Sequence, residues 1–198
     1  MWRPSGLRLR LASASERRLT LLKQVGLAPE VHPACVDESR LDGEDAETYV
    51  RRMALVKARA GVADGIDLVL GADTAVVLDE EIMGKPCDEQ DAVDMLSRLS
   101  GRQHRVLTGV AVCAPDLPQG RAVVVESAVH FKQLTEFEIR AYVLSGEPFD
   151  KAGAYGIQGL GAMLVQQLSG SYSGVVGLPL FETVALLRDF GLTFSALE

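Results

Sequence analysis

The sequence predicts an α/β fold, a mixed twisted sheet with flanking helices, that spans residues 1–198 as a single domain. Apolar residues make up 47% of the 198 residues, which is enough to build one core. Segments with strand and helix periodicity alternate along the chain, in places with two strands in succession, and no linker separates them. We expect residues 1–6 to form a flexible tail and the remainder to be shaped as two lobes.

The first third of the chain has the patterns of two strands and two helices. Alternating Leu and Arg predict a strand at 7–12, and the helix that follows ends at Gly26, a residue type preferred after a helix C-terminus. A short strand is expected at 30–36. A longer helix is expected at 44–62, and its predicted apolar face carries Tyr49, Met53, Val56 and Ala60.

The remaining two thirds alternate in the same way. Thr135 and Glu138 have the spacing of a capping box, which marks the start of a helix. In chain order we expect further strands at 67–78, 105–113 and 122–131, and further helices at 89–99, 135–145 and 179–190.

Charge and cysteine content exclude several classes of protein. The formal net charge of −7 argues against binding to nucleic acid, because an acidic surface repels a phosphate backbone. The charge is uneven, since residues 1–23 carry six basic side chains and one acidic side chain. The three cysteines lie far apart with no histidine to complete a zinc set, so we expect reduced thiols in a cytoplasmic protein.

Residues 152–181 contain no charged side chain, a pattern that at first resembles a membrane span. The segment is rich in glycine, serine and glutamine, however, and this makes it too polar and too broken for lipid. We therefore expect close-packed backbone around a pocket and no association with a membrane.

Ser13, Arg17 and Arg18 lie where the first predicted strand turns into a helix. A helix N-terminus with hydroxyl and guanidinium groups is suited to bind an anion. The alternative is a simple cap in which Ser13 and Glu16 form a capping box and the arginines are solvated, and composition alone favours that alternative.

Asp73 ends the predicted buried strand that begins at residue 67. A carboxylate at the C-terminal end of a strand can hold a divalent cation or orient water, whereas the alternative is an aspartate of a turn. The ordinary pKa of an aspartate, about 3.9, makes it a weak base for free water, so a catalytic role needs a metal that acidifies the water.

Lys57, beside the apolar face of its helix, and Lys85 could reach phosphate groups, although single lysines are more often surface residues. Lys85 precedes Pro86 and follows no glycine-rich run, which excludes a Walker-type ATPase. Gln158 can both donate and accept and could read a base edge, while glycine packing is the alternative role of the run at 156–161. The isolated histidines disfavour zinc catalysis and Ser-His-Asp hydrolysis.

In combination these motifs resemble the Maf family of nucleotide pyrophosphatases, the septum-formation-inhibitor-like proteins. The string at 152–158 is similar to that of the branch acting on dTTP and UTP and differs from that of the branch acting on 7-methyl-GTP. The matching segments follow one another in the family's order at 11–18, 21–22, 37–38, 57–59, 71–74, 84–86, 151–159 and 175–179.

The resemblance implies a fold like that of inosine triphosphate pyrophosphatase, with two lobes around a nucleotide cleft. It implies a homodimer that hydrolyses dTTP, UTP or modified pyrimidine nucleotides to the monophosphate and pyrophosphate, a house-cleaning activity that uses Mg²⁺ or Mn²⁺. By the same resemblance Asp73 is the catalytic proton acceptor and, with Glu38, holds the metal. The resemblance assigns phosphate binding to Ser13, Arg17, Arg18, Lys57 and Lys85, and substrate specificity to Arg17, Thr74 and Gln158.

One position departs from the family pattern, because Glu16 stands where proline is common. A negative charge there weakens phosphate binding unless the side chain points outward. Two other functions stay open from the sequence: a nucleotide-binding regulator of cell division, and the same hydrolysis directed at another base such as 7-methyl-GTP.

Overall fold

The computed structural model describes residues 2–4, 6–63 and 65–196, and these form a mixed β-sheet and six α-helices. The predicted α/β fold class is confirmed. The chain divides into two compact units. The single domain expected from the sequence stays a prediction. Unit 1 comprises Met1–Asp73, Thr108–Val125 and Gly177–Glu198, and unit 2 comprises Thr74–Leu107 and Glu126–Val176.

The strands, in chain order, are β1 Trp2–Pro4, β2 Leu9–Leu11, β3 Glu30–Val31, β4 Leu68–Leu78, β5 Glu81–Met83, β6 Gln103–Ala114, β7 Leu117–Phe131, β8 Val165–Ser169 and β9 Phe194–Ala196. Within the described residues the main sheet has the order β3-β2-β4-β6-β7-β8, with β5 paired to β4. The pairings of β2 with β3 and with β4 are parallel, whereas those of β5 with β4 and of β8 with β7 are antiparallel. The chain crosses between the units within β4, β6 and β7.

The helices are α1 Glu16–Gln24, α2 Ala46–Ala60, α3 Glu89–Leu99, α4 Glu136–Leu144, α5 Tyr172–Val176 and α6 Leu180–Asp189. Five of them confirm predicted helices within a few residues at each end. The capping box of α4 is present in both directions, between Thr135 and Glu138. At the end of α1, Gly26 has the left-handed φ of 82°, which a glycine adopts without strain.

Helix α2 supplies much of the core of unit 1. Its buried face consists of Val50, Met53, Ala54, Lys57 and Ala58, and therefore lies beside the apolar face predicted from the sequence. Ala60 of that predicted face is exposed, because the true stripe is one residue out of phase with it.

Unit 2 has a core of its own between α3, α4 and the adjoining parts of β4, β6 and β7. His104 of β6 lies in this core with Phe131 and Tyr155, and the three rings meet edge to face at centroid distances of 4.7 to 5.3 Å. The Nε2 atom of His104 is 2.7 Å from the Tyr155 hydroxyl, while its Nδ1 atom has no hydrogen-bond partner among the described residues.

Some predicted strands differ from the observed ones. The strand expected at 30–36 is reduced to the two residues of β3. The strand expected at 67–78 is observed as β4, and Asp73, which was expected to end a buried strand, lies in its middle. The sequence predicts a turn at 79–81, but the three-residue strand β5 that begins at Glu81 was not predicted. In this turn Asp79 and Glu80 have φ values of 51° and 65°, which glycine or asparagine usually adopts. Arg102 and Arg105 bind these two carboxylates and hold the turn.

Two further segments singled out in the sequence are the tail at 1–6 and the charge-free segment at 152–181. Within the tail predicted at 1–6, strand β1 pairs antiparallel with β9, while residues 1 and 5 lie outside the described part and the flexibility of the tail stays a prediction. The charge-free segment at 152–181 folds into short 3₁₀ helices, β8, α5 and the start of α6. Every helix of the described residues is too short or too polar to cross a bilayer.

Candidate functional site

The turn between β2 and α1 carries the first group of predicted site residues. Ser15 caps α1 by accepting a hydrogen bond from the Arg18 N–H, so the predicted capping box of Ser13 with Glu16 is wrong. Ser13 is buried, and its Oγ accepts hydrogen bonds from the Ser15 N–H at 3.2 Å and from the Arg18 Nη1 at 3.0 Å. The turn therefore presents a hydroxyl and a guanidinium group at the start of a helix, where N–H groups favour an anion.

Arg18 is fixed from two directions. Its Nε donates to the carbonyl oxygen of Gly177 at 2.9 Å, within unit 1, while its Nη1 donates to Ser13. Burial lowers the pKa of Arg18, and the charge of Asp73 opposes this effect. The neighbouring Arg17 is partly exposed, and Glu16 is exposed, which fits the outward orientation that would keep its charge from incoming phosphates.

Lys57, Asp73 and Glu38 form the second group, called the Lys57 triad below. The Nζ of Lys57 is 2.7 Å from Asp73 Oδ1 and 2.7 Å from Glu38 Oε1. The side chains of Lys57 and Asp73 are only 10% and 11% exposed, whereas that of Glu38 is 58% exposed. A buried lysine needs a charged partner, and here two carboxylates provide it.

The close approach of α2 to β4 explains why Lys57 meets Asp73. A Cβ on Gly71 would lie 2.3 Å from the carbonyl oxygen of Ala54, so a side chain at this position of β4 would push the helix away. Alternate residues of a strand share a face, and Asp73 therefore points to the same side as Gly71, toward α2. Lys57 lies one helical turn after Ala54, and from this position its side chain reaches Asp73.

The loop that carries Glu38 is held by a tyrosine of α2. The hydroxyl of Tyr49 donates to the carbonyl oxygen of Glu38 at 3.1 Å. Burial, followed by the charges of Asp73 and Glu38, raises the pKa of Tyr49 to about 12, so the hydroxyl stays protonated and remains a donor. This contact fixes the backbone from which the Glu38 carboxylate extends to Lys57.

A second tie on the same loop is an ion pair between Glu44 and Arg52. The Arg52 Nε and Nη2 atoms lie 2.6 and 2.7 Å from the two oxygens of Glu44, whose side chain is 3% exposed. Arg52 Nη2 also donates to the carbonyl oxygen of Ser39, next to Glu38. The hydrogen bonds from Arg52 hold the pKa of Glu44 below its ordinary value, so the pair stays ionised.

The Lys57 triad fits a divalent cation only when a substrate contributes ligands as well. Among the described residues no group of three His, Cys, Asp or Glu side chains could hold a metal alone. Mg²⁺ is commonly bound by one or two carboxylates together with substrate phosphates and water, and Asp73 and Glu38 supply two carboxylates. Arg17 and Arg18 belong to the same unit, so unit 1 carries groups suited to phosphates and groups suited to a hard cation.

The other predicted site residues belong to unit 2. Thr74 follows Asp73 along β4 and, as the next residue of a strand, points to the opposite face. Lys85 is exposed in the irregular segment after β5, and the carbonyl oxygen of its neighbour Gly84 accepts the Gly153 N–H at 2.9 Å. Gln158 is exposed at the start of the 3₁₀ helix Gly159–Leu164.

Sequence reasoning missed the supporting residues of this site. Tyr49 was placed on an apolar face, where its ring looks like a core residue, and Glu44 and Arg52 look like ordinary surface charges. The one signal that could have found the pair is the position of Glu44 just before the helix cap Asp45, within reach of the second turn of α2.

The chain is similar to known proteins over most of its length. The family described as "Maf-like protein" matches residues 8–190. A protein of Anaeromyxobacter sp. named dTTP/UTP pyrophosphatase is 55% identical over 189 residues, covering 93% of this chain and 90% of that protein. One of Aromatoleum aromaticum with the same name is 46% identical over 204 residues, covering 96% and 98%. Among solved structures, the Staphylococcus aureus Ham1 protein covers 92% of this chain and 97% of its own, at 15% identity and a TM-score of 0.47.

Proposed function

The chain belongs to the family of Maf-like proteins, and from this membership we propose that it is a nucleoside triphosphate pyrophosphatase acting on dTTP and UTP. It hydrolyses the bond between the α- and β-phosphates and releases the monophosphate and pyrophosphate. The observation that carries the proposal is Lys57 held between Asp73 and Glu38 in the same unit as the turn of Ser13 and Arg18. Relatives that share most of the chain carry the name of this activity.

Ser13, Arg17, Arg18 and the N-terminus of α1 bind the phosphates. A triphosphate carries a charge of roughly −4 near neutral pH, since its terminal phosphate loses its second proton near pH 6. A guanidinium group can donate two hydrogen bonds to the oxygens of one phosphate, and it stays positively charged. The hydrogen bonds from Arg18 to Ser13 and Gly177 hold the Arg18 side chain in place before substrate binds.

Asp73 accepts the proton of the attacking water, and Lys57 controls the charge around it. Without substrate, Lys57 neutralises one of the two carboxylates of the triad. Asp73 and Glu38 would hold a Mg²⁺ or Mn²⁺ ion, which when bound lowers the pKa of water and offsets phosphate charge. Lys57 is then available to donate to a phosphate oxygen, as the resemblance expects.

Lys85, Thr74 and Gln158 of unit 2 complete the proposal. Lys85 is exposed and therefore available as a point charge for the leaving pyrophosphate. Gln158 presents an amide that can both donate and accept, as the edge of a pyrimidine base requires. Thr74 and Arg17 are the further positions assigned to substrate choice. A homodimer and a cytoplasmic location are part of the same proposal, and light scattering tests the first.

A pyrophosphate-release assay tests the function. The panel consists of dTTP, UTP, CTP, ATP, GTP and 7-methyl-GTP with Mg²⁺ or Mn²⁺, and we expect the highest kcat/KM with dTTP and UTP. Asp73→Asn should lower kcat/KM by about 10²–10³, the loss typical of one transition-state electrostatic contact. Asp116→Asn, an equal change at an exposed turn of unit 1, is the matched control and should leave turnover unchanged. No release from any nucleotide, or full activity of Asp73→Asn, would refute the proposal.

A further inference from the structure

One carboxylate of unit 2 holds the loop that carries Gln158. Glu147 is partly buried, and its Oε2 accepts the Leu160 N–H at 2.9 Å while its Oε1 accepts the Gly161 N–H at 3.0 Å. The same Oε1 accepts the hydroxyl of Tyr142 at 2.9 Å. Three donors therefore converge on one side chain, and two of them belong to the backbone immediately after Gln158.

Tyr142 holds the other end of the same loop, residues 156–161. Its hydroxyl oxygen accepts the Gly156 N–H at 3.2 Å and donates its own proton to Glu147. Gln158 lies between the two attachment points, and its side chain is exposed. Tyr142 and Glu147 thus hold the backbone on both sides of Gln158, and Gln158 itself stays exposed.

The glycines of the loop allow this close attachment. Gly159 has a φ of 72°, and a Cβ on it would lie 2.6 Å from Glu147 Oε2. A Cβ on Gly161 would lie 2.2 Å from the Gly156 carbonyl oxygen and 2.7 Å from the Tyr142 hydroxyl. The backbone therefore rests directly on the tyrosine and the carboxylate, with no space for a side chain between them.

The protonation states of the two side chains suit this arrangement. Burial alone would raise the pKa of Glu147, but the hydrogen bonds from Gly161, Leu160 and Tyr142 together lower it below its ordinary value. Burial also raises the pKa of Tyr142. At neutral pH Glu147 is therefore an acceptor at both oxygens and Tyr142 is a donor.

We propose that Glu147, acting with Tyr142, is a positioning residue that sets the preference for pyrimidine bases by fixing the 156–161 loop around Gln158. The inference rests on the proposed function, in which Gln158 meets the base. An amide on a mobile loop could adjust to bases of different size and edge, whereas an amide on a fixed backbone accepts only the edge that matches it.

Substitutions that remove these hydrogen bonds but keep the shape provide the test. Glu147→Gln turns one acceptor oxygen into an N–H₂ group that faces a donor, and Tyr142→Phe removes the hydroxyl and leaves the charge. Glu136→Gln neutralises an exposed carboxylate at the start of α4, away from the loop, and is the matched control. For each variant kcat/KM is measured with UTP and GTP, the exchange of amide hydrogens in 156–161 is followed by mass spectrometry, and Tm is recorded.

We expect Glu147→Gln to lower the ratio of kcat/KM for UTP over GTP by about tenfold, the loss of one hydrogen bond to a charged group. Tyr142→Phe should lower it in the same direction, and amide exchange in 156–161 should become faster in both variants. Glu136→Gln should change neither quantity. If Glu147→Gln fails to fold, Tyr142→Phe decides the question.

Equal losses with UTP and GTP, or a lower Tm with the ratio unchanged, would show that Glu147 only stabilises the fold and would overturn the inference. Unchanged exchange of the loop amides would overturn it as well. A wild-type protein that releases no pyrophosphate from any nucleotide would refute the proposed function itself, and this outcome is distinct from an active wild type whose variants keep its selectivity.

Discussion

Acidification should destabilise the protein through His104, by about 2 kcal/mol between about pH 7.5 and about pH 5. His104 is 2% exposed, and within the described part of the chain its ring has one hydrogen-bond partner, the Tyr155 hydroxyl. Burial, assisted by the charge of His130, lowers its pKa from 6.5 to about 4. A proton on the buried ring would leave Nδ1–H without an acceptor among the described residues, so the fold disfavours it.

The sign and size follow from the two pKa values. Well above pH 6.5 the ring is neutral in both the folded and the unfolded state, so its contribution to stability is complete. As the pH falls from 6.5 to about 4, the unfolded chain binds a proton that the folded protein does not, and stability is lost. The full loss is about 3.5 kcal/mol, at roughly 1.4 kcal/mol per pH unit over the interval from 6.5 to about 4, and about 2 kcal/mol of it is reached by about pH 5.

Urea unfolding followed by far-UV circular dichroism, at a series of pH values, measures the effect. His104→Gln keeps a partner for the Tyr155 hydroxyl but does not titrate, so the free energy of unfolding of this variant should fall by about 2 kcal/mol less than that of the wild type over the same range. His32→Gln, at an exposed histidine, is the control and should behave as the wild type. Parallel pH profiles for wild type and His104→Gln would refute the reasoning.

Two further predictions concern the packing of unit 1. Gly71→Ala should destabilise the protein by about 3 kcal/mol, because its Cβ would meet the Ala54 carbonyl oxygen at 2.3 Å. The variant should also have lower turnover. An unchanged midpoint of chemical denaturation would contradict this prediction. Arg52→Ala should cost about 2 kcal/mol by leaving the buried Glu44 carboxylate without its main donor. Arg140→Ala, which breaks an exposed pair, should cost far less, and equal midpoint shifts for the two variants would contradict the role of burial.

The sequence was sufficient for features that depend on neighbours in the chain. Helix α3 has the predicted bounds, and the reciprocal bonds of Thr135 and Glu138 start α4 where the capping box placed it. Both follow from apolar periodicity and short-range hydrogen bonds, which the order of residues determines directly. The end of a buried strand predicted at Asp73 is wrong, because β4 continues through Asp73 to Leu78.

Features that depend on distant pairings could not be predicted from the residues alone. The sequence places Lys57 beside the apolar face of its helix but does not identify its partners. Glu38 lies in a loop 19 residues before Lys57, and Asp73 lies in a strand 16 residues after it. The attachment of Leu160 to Glu147 depends in the same way on the path of the chain between them. Resemblance to a family named most of these site residues, and the structure adds the contacts that hold them.

The contact of Gly71 with Ala54 limits how this chain can drift in sequence. Any side chain at position 71 would lift α2 from β4 and carry Lys57 away from Asp73, so packing and charge pairing would fail in one step. Gly109, whose Cβ would lie 2.3 Å from the Val50 carbonyl oxygen, imposes the same limit one strand away. Gly71 and Gly109 therefore both hold α2 close to the sheet, and Gly71 also keeps Lys57 within reach of Asp73. A substitution at Gly71 would weaken the fold and the triad together.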